Sequence, residues 1–317
     1  MRIDVHTHLW PPEKTPVYLQ DYFGNRAKPE AIKKLTAEGL ITSMNQSGID
    51  KAIVSALPFG PQYSNQQLCC FNNYIKQQVA LFPHRLKGFC TINPLEQDAL
   101  SYLEQLIGSE GFKGLKLHNN MQQFYPDDTK LYPIYQKMQE YQLPILFHCG
   151  GIGLPPTRDS YGQPIRFDAI ACDFPDLPII LVHAGRTWYD ETAMMLRKHK
   201  NIYADISTNI GRLKSHAGKP MADLLEKVKV WAGHTNTLFL GSDYPFYGQA
   251  ETVEILNSLL KMGGSAATNP EDISGILELN AEAFCKKYNI FKLRKEGKHY
   301  GKALHRKRGN RKAASPD

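Results

Sequence analysis

Two histidines stand one residue apart in the stretch D-V-H-T-H-L-W, Asp4 to Trp10. On an extended chain, side chains at i and i+2 point to one face, so His6 and His8 converge and can share a metal ion. An isolated H-x-H also suits surface or hydrogen-bonded histidines, since imidazole is a common polar group as well as a frequent ligand. Further along, other ionisable residues break apolar runs. His148 follows L-P-I-L-F, His183 follows P-I-I-L-V, Asp243 follows T-L-F-L-G-S, and Lys116 and His118 close G-F-K-G-L-K-L-H. Neutral imidazoles and one carboxylate supply the nitrogen and oxygen donors that zinc, manganese or iron accept, and a catalytic site keeps a position open for water.

Such residues need a scaffold that brings distant stretches together. Short β-forming runs recur at 2–8, 51–56, 86–92, 111–118, 143–149, 178–184, 201–207 and 236–243. Helical candidates lie between and after them, among them 97–107, 130–141, 187–200, 221–231 and 251–262. Strands alternating with helices argue for parallel pairing, and eight such units point to an α/β fold, a single closed (β/α)8 TIM barrel; a doubly wound open sheet is the alternative. In a closed barrel the active site lies at the carboxyl ends of the strands, where His6, His8, Lys116, His118, His148, His183 and Asp243 fall. The first connection is long, from Leu9 to about Ser47 with a helix expected over 29–46, and is expected to form a flap over the barrel mouth. Apolar spacing over 273–288 predicts a C-terminal helix that closes the barrel.

Residues 1–290 are accordingly expected to form one domain and 291–317 a flexible basic tail. From Lys292 onward ten Lys and Arg face two Asp and Glu, a balance of +8, whereas the preceding 28 and 29 balance to −1 out of the total +7. Solvated disorder is the simple reading of such a tail, contact with nucleic acid the other. Apolar residues at 42% and charged residues at 22% are ordinary for a globular chain. No apolar run approaches the roughly 18 residues of a membrane span, so a soluble, cytoplasmic protein is expected. Six cysteines form no C-x-x-C pair, and reduced thiols are expected.

Taken together, D-V-H-T-H, F-H-C-G, V-H-A-G and G-S-D-Y-P on four strands resemble the amidohydrolase superfamily, and most closely its amidohydrolase-2 branch, which includes aminocarboxymuconate semialdehyde decarboxylase. The phrase I-L-E-L-N-A-E-A-F resembles that branch's terminal signature, and the likeness spans roughly residues 1 to 290. The resemblance implies that His6, His8, His148 and Asp243 bind one metal ion, usually zinc, with His183 beside the activated water. Asp243 would then move the water proton while His183 orients the water and stabilises developing charge. In two-metal members a carbamylated strand-four lysine bridges the ions, which is the second reading of Lys116. Otherwise Lys116 or Arg186 holds a substrate carboxylate by charge pairing. Trp10, with Trp188 and Tyr244, is expected to wall the ligand site. Asp4, sharing parity with His6, is expected to point inward below the metal, and Cys149 to face the helices.

Two reactions follow from this machinery. The first is hydrolysis, in which metal-activated water attacks a small amide, lactone or ester that also carries a carboxylate. The second is non-oxidative decarboxylation of an unsaturated or aromatic acid. A remote third reading, nucleic-acid binding through the tail, loses weight because strand four offers no metal-site glutamate. A small-molecule substrate is therefore expected, no membrane partner, and a homodimer is possible within this branch.

Overall fold

The computed structural model describes residues 1–14, 32–57, 60–153, 155, 157–211, 214–261 and 269–292. The basic stretch 293–317 and part of the first connection, 15–31, lie outside the described residues. Eight parallel strands run in sequence order: β1 Ile3–His8, β2 Lys51–Ser55, β3 Leu86–Thr91, β4 Leu115–Leu117, β5 Ile145–His148, β6 Ile179–Val182, β7 Ile202–Asp205 and β8 Leu238–Phe239. The last strand returns to the first. Val5 N donates to Leu240 O at 3.0 Å, Asp243 N to His6 O at 2.9 Å and His8 N to Tyr244 O at 2.7 Å. The sheet is thus a closed barrel of TIM type.

Eleven α-helices occur among the described residues: α1 Ala37–Ser47, α2 Asn65–Leu81, α3 Ala99–Glu104, α4 Asn119–Gln122, α5 Tyr132–Tyr141, α6 Phe167–Asp173, α7 Tyr189–Lys198, α8 Lys219–Ala232, α9 Gln249–Ser258, α10 Pro270–Ser274 and α11 Asn280–Lys287. Local chemistry sets their ends. Thr36 caps α1 by accepting from Gly39 N, and Gly48 at φ 65° closes it in the left-handed region that glycine tolerates best. In α7 the acids Asp190 and Glu191 open the helix and Arg197 and Lys198 end it, as the helix dipole favours, while Tyr189, Thr192, Ala193 and Leu196 bury one face.

Two apolar layers result. Ala52, Val54, Leu115, Phe147, Cys149, Leu181 and Ala204 pack outward against the helices. Ile3, Val5, Ile53, Phe89, Leu146, Ile180 and Phe239 fill the barrel interior together with Phe284 and Ile290 at the chain's end. Asn280 Nδ2 donates to Thr235 O and Leu238 O, both at 2.9 Å, and so ties α11 to the start of β8. With one end of the barrel filled in this way, the strands' carboxyl ends remain for chemistry.

The first strand carries an irregularity that matters. Its register against β2 shifts between Asp4 and Thr7, the signature of a β-bulge. Asp4 pairs with Ala52, whose side chain is in the outer layer, while His8 pairs with Ser55. The expectation that Asp4 points inward beside His6 is therefore corrected. Its carboxylate lies on the helix side, accepting from Gln249 Nε2 at 2.7 Å and Ser242 Oγ at 2.6 Å. It also accepts from His6 N at 3.1 Å, which pins the bulge. Among the described residues no helix is long and apolar enough to cross a membrane.

Candidate metal centre

Donors from β1 and the end of β8 meet at the barrel mouth. His6 Nε2 and His8 Nε2 are 3.0 Å apart, and Asp243 Oδ1 lies 3.7 Å from the first and 3.4 Å from the second. The other ring nitrogens decide what these atoms offer. His8 Nδ1 is 3.1 Å from both the carbonyl oxygen and the Oγ of Ser55, and the carbonyl, which only accepts, favours the tautomer with the proton on Nδ1. His6 Nδ1 faces Ser207 Oγ at 3.3 Å and Asp205 Oδ2 at 3.2 Å. Both Nε2 atoms thus turn lone pairs toward one another and toward a carboxylate oxygen. Three acceptors in a buried pocket repel unless a positive group lies among them; Lys116 Nζ meets one, at His6 Nε2, and the donor set as a whole suits a divalent cation.

Burial drives the site's protonation states. His6 and His8 are held below the ordinary imidazole range by burial first, with Lys116 adding to the effect and Asp243 opposing it. His148 and His183 are pushed the same way, by burial and then by neighbouring positive charge that includes Arg186. Burial thus favours the neutral form of all four rings, the form in which an imidazole nitrogen can offer a lone pair. The Lys116 amine is brought down to about 8 by burial, against the pull of Asp243 and Asp205. Its Nζ lies 3.1 Å from His6 Nε2, so it donates to the same lone pair a metal would use.

The remaining predicted residues divide. His183 sits in the tight turn after β6 at φ 66°, and its ring centroid is 5.1 Å from that of His6 and 4.9 Å from that of His148. Asp243 at φ 64° and Arg186 at φ 46° share this backbone region, which costs a non-glycine residue on the order of 1–3 kcal/mol and is concentrated at functional sites. His148 is not brought into the donor group formed by His6, His8 and Asp243. Its Nε2 faces Gly150 O at 3.2 Å, and its ring stacks on His118 at 3.9 Å with planes 9° apart. Arg186 is half-buried and donates to two neutral acceptors, Thr208 Oγ1 at 3.0 Å and Gly151 O at 2.9 Å.

Trp10, expected to wall the ligand site, is fully buried, as His6, His8 and Lys116 are. Its Nε1 donates to Leu57 O at 3.1 Å, and its ring backs His8 at 5.6 Å between centroids. Sequence reasoning passed over Asp205 and Ser207. Asp205 ends the I-Y-A-D strand at the same rim, the signal that singled out the other site residues. It is completely buried, and Ser207 Oγ donates to its Oδ1 while contacting His183 Nδ1 at 2.8 Å.

The amidohydrolase family model Amidohydro_2 matches residues 3–286. The chain belongs to the amidohydrolase family. A 2-keto-4-carboxy-3-hexenedioate hydratase of a Sphingobium species is 25% identical over 183 residues, covering 49% of this chain and 53% of that protein. The chain thus spans about half the length of this curated relative. A dihydroxybenzoic acid decarboxylase from Polaromonas sp. JS666, solved with manganese and the inhibitor 2-nitroresorcinol, superposes with a TM-score of 0.69 at 17% identity, covering 92% of this chain and 96% of that one. A 5-carboxyvanillate decarboxylase from Sphingomonas paucimobilis gives 0.63 at 17% identity, covering 91% and 99%. At such identity the superpositions show the shared barrel.

Proposed function

We propose that this amidohydrolase-family protein is a metal-dependent lyase that removes carbon dioxide from a small aromatic or unsaturated carboxylic acid. The observation that carries the reading is the placement of two cationic side chains, Lys116 and Arg186, around a three-donor cation site. With a divalent ion held by His6, His8 and Asp243, the positive charges near the mouth outnumber Asp243 and Asp205, and an anionic substrate restores the balance. The decarboxylases that share the barrel favour carbon dioxide release over amide or lactone hydrolysis. Hydrolysis is supported by the strand motifs alone.

A bound divalent cation supplies Lewis-acid polarisation of a substrate oxygen and lowers the pKa of water. Manganese is the ion in one structural relative, and zinc remains the alternative. His148 would join as fourth donor by turning its ring away from Gly150 O. Arg186 holds a substrate carboxylate through charge-assisted hydrogen bonds, and Lys116 leaves His6 to do the same. The carbon–carbon bond to the departing carboxylate breaks and carbon dioxide leaves, the electron pair stays on the substrate carbon, and that carbon takes a proton that Asp243 has first accepted from water. His183, with its Nδ1 turned to Ser207 Oγ, accepts a hydrogen bond through Nε2 from a substrate hydroxyl or a water and so orients it. Carbamylation of Lys116, whose amine already lies beside His6 Nε2, is the two-metal form of the same site.

A second reading, hydration of an unsaturated polycarboxylate, is favoured by the likeness to the hydratase. There Asp243 takes a proton from water as the hydroxyl adds to one carbon of the double bond, and the other carbon takes up a proton in its place. Manganese- and zinc-loaded protein incubated with aromatic acids, unsaturated di- and tricarboxylates, lactones and amides separates these readings. Carbon dioxide release from an acid is the expected result. Alkene loss without carbon dioxide selects hydration, and acid production from a lactone or amide alone overturns the lyase reading.

A further inference from the structure

We infer that Asp205 and Ser207 are a positioning pair that sets the tautomers of His6 and His183 together through one hydroxyl. A serine hydroxyl has one proton to donate and two lone pairs to accept with. Asp205 Oδ1 already accepts the amides of His183 at 3.1 Å and Ser207 at 2.9 Å, so it is an acceptor, and the Ser207 proton goes to it. Both lone pairs of Ser207 Oγ are then left for the two imidazoles that touch it, His183 Nδ1 at 2.8 Å and His6 Nδ1 at 3.3 Å. Each ring must therefore donate through Nδ1, and each turns an unprotonated Nε2 toward the site.

The two rings are not held equally. His6 has a second acceptor within reach, Asp205 Oδ2 at 3.2 Å, an oxygen with no hydrogen bond of its own among the described residues. The His183 ring nitrogens have Ser207 Oγ as their hydrogen-bond partner among the described residues. Loss of the hydroxyl consequently frees the His183 tautomer and leaves His6 supported by the carboxylate. Loss of the carboxylate's charge weakens the support of both, because Ser207 no longer has a fixed acceptor. Hydrogen-bond partners that orient ligating histidines typically control 10–100-fold in metal affinity or activity.

This inference rests on the metal-site reading, and its test is chosen to stand apart from the substrate. Nitrogen-15 imidazole shifts of the metal-free protein report which ring nitrogen of His6 and His183 is protonated. Manganese titration of the same samples reports affinity and stoichiometry. In the wild type both Nδ1 atoms are expected to be protonated. Ser207→Ala should mix the His183 tautomers while leaving manganese affinity within about 3-fold, and Asp205→Asn should lower that affinity about 10–100-fold. With any substrate found, Ser207→Ala should lower kcat by a similar factor with KM little changed, and Ser207→Thr, which restores the hydroxyl, should recover both shifts and kcat. An unprotonated Nδ1 on His183 in the wild type, or a His183 signal unmoved by Ser207→Ala, overturns the inference even if carbon dioxide is released. A second bound equivalent abolished by Asp205→Asn also overturns it, by making Asp205 a ligand. Failure of the substrate screen leaves the shift experiment intact.

Discussion

His6 Nε2 and His8 Nε2 approach to 3.0 Å although each ring's other nitrogen faces an acceptor. Two lone pairs directed at each other in a buried pocket are unfavourable, and a cation resolves the conflict. The bulge in β1 creates the arrangement, because the extra residue lets Val5 fill the barrel interior while His6 and His8 still share the mouth.

If Asp243 carries the proton, as proposed for either reaction, its amide isostere removes the function without removing much packing. Asp243→Asn should keep the wild-type unfolding temperature within about 2–4 °C. Turnover should fall about 10²–10⁴-fold, the range of general acid–base catalysis. Steady-state kinetics on metal-saturated protein check this, and near-normal turnover removes Asp243 from proton transfer.

The proposed hold of Arg186 on a substrate carboxylate uses a planar fork that lysine does not reproduce. Arg186→Gln should lower kcat/KM by about 10–100-fold for a carboxylate substrate, the loss of one charge-assisted hydrogen bond. Arg186→Lys should recover only a small part of it. Comparing the acid with its methyl ester shows whether the loss belongs to the carboxylate: the ester should be turned over equally poorly by both enzymes.

The pair Asp168 and Lys198, joined by His199, gives a pH signature away from the site. Hydrogen bonds from Lys198 and His199, at 2.6 and 2.7 Å, hold the Asp168 carboxyl below the ordinary carboxylate range. A carboxyl depressed in the folded state contributes stability above its unfolded pKa of about 3.9 and loses it as pH falls through the folded value. Asp168→Asn should therefore cost about 0.2–1 kcal/mol near pH 7, as partly exposed pairs do, and the difference should vanish in acid. Urea unfolding of both proteins from pH 7 down to 3 measures it. A gap that widens in acid contradicts the assignment.

The barrel was legible because its strands are short β-forming runs, most of them carrying an ionisable residue at or just past the carboxyl end. Their order, the α7 and α8 helices and the inward placement of His148, His183 and Asp243 followed from that pattern. Helix α2 was harder to read. Its buried face includes Asn65 and Asn72, and Asn72 bridges Thr91 through bonds of 2.8 and 2.9 Å, so polar residues perform a packing role that hydrophobic periodicity does not register. The inward reading of Asp4 failed because strict alternation holds only for an unbroken strand, and D-V-H-T-H shows no local mark of its bulge. Asp205 and Ser207 carried the same strand-end signal as His183. What the sequence did not convey was that one hydroxyl touches two imidazoles from different strands.

The most direct test of the account is metal content measured against the β1 histidines. Wild-type protein stripped with chelator and dialysed against manganese or zinc should rebind one equivalent per chain, while His6→Ala and His8→Ala, each folded by circular dichroism, should retain almost none. Full metal content in both variants, or no binding by the wild type, would contradict it.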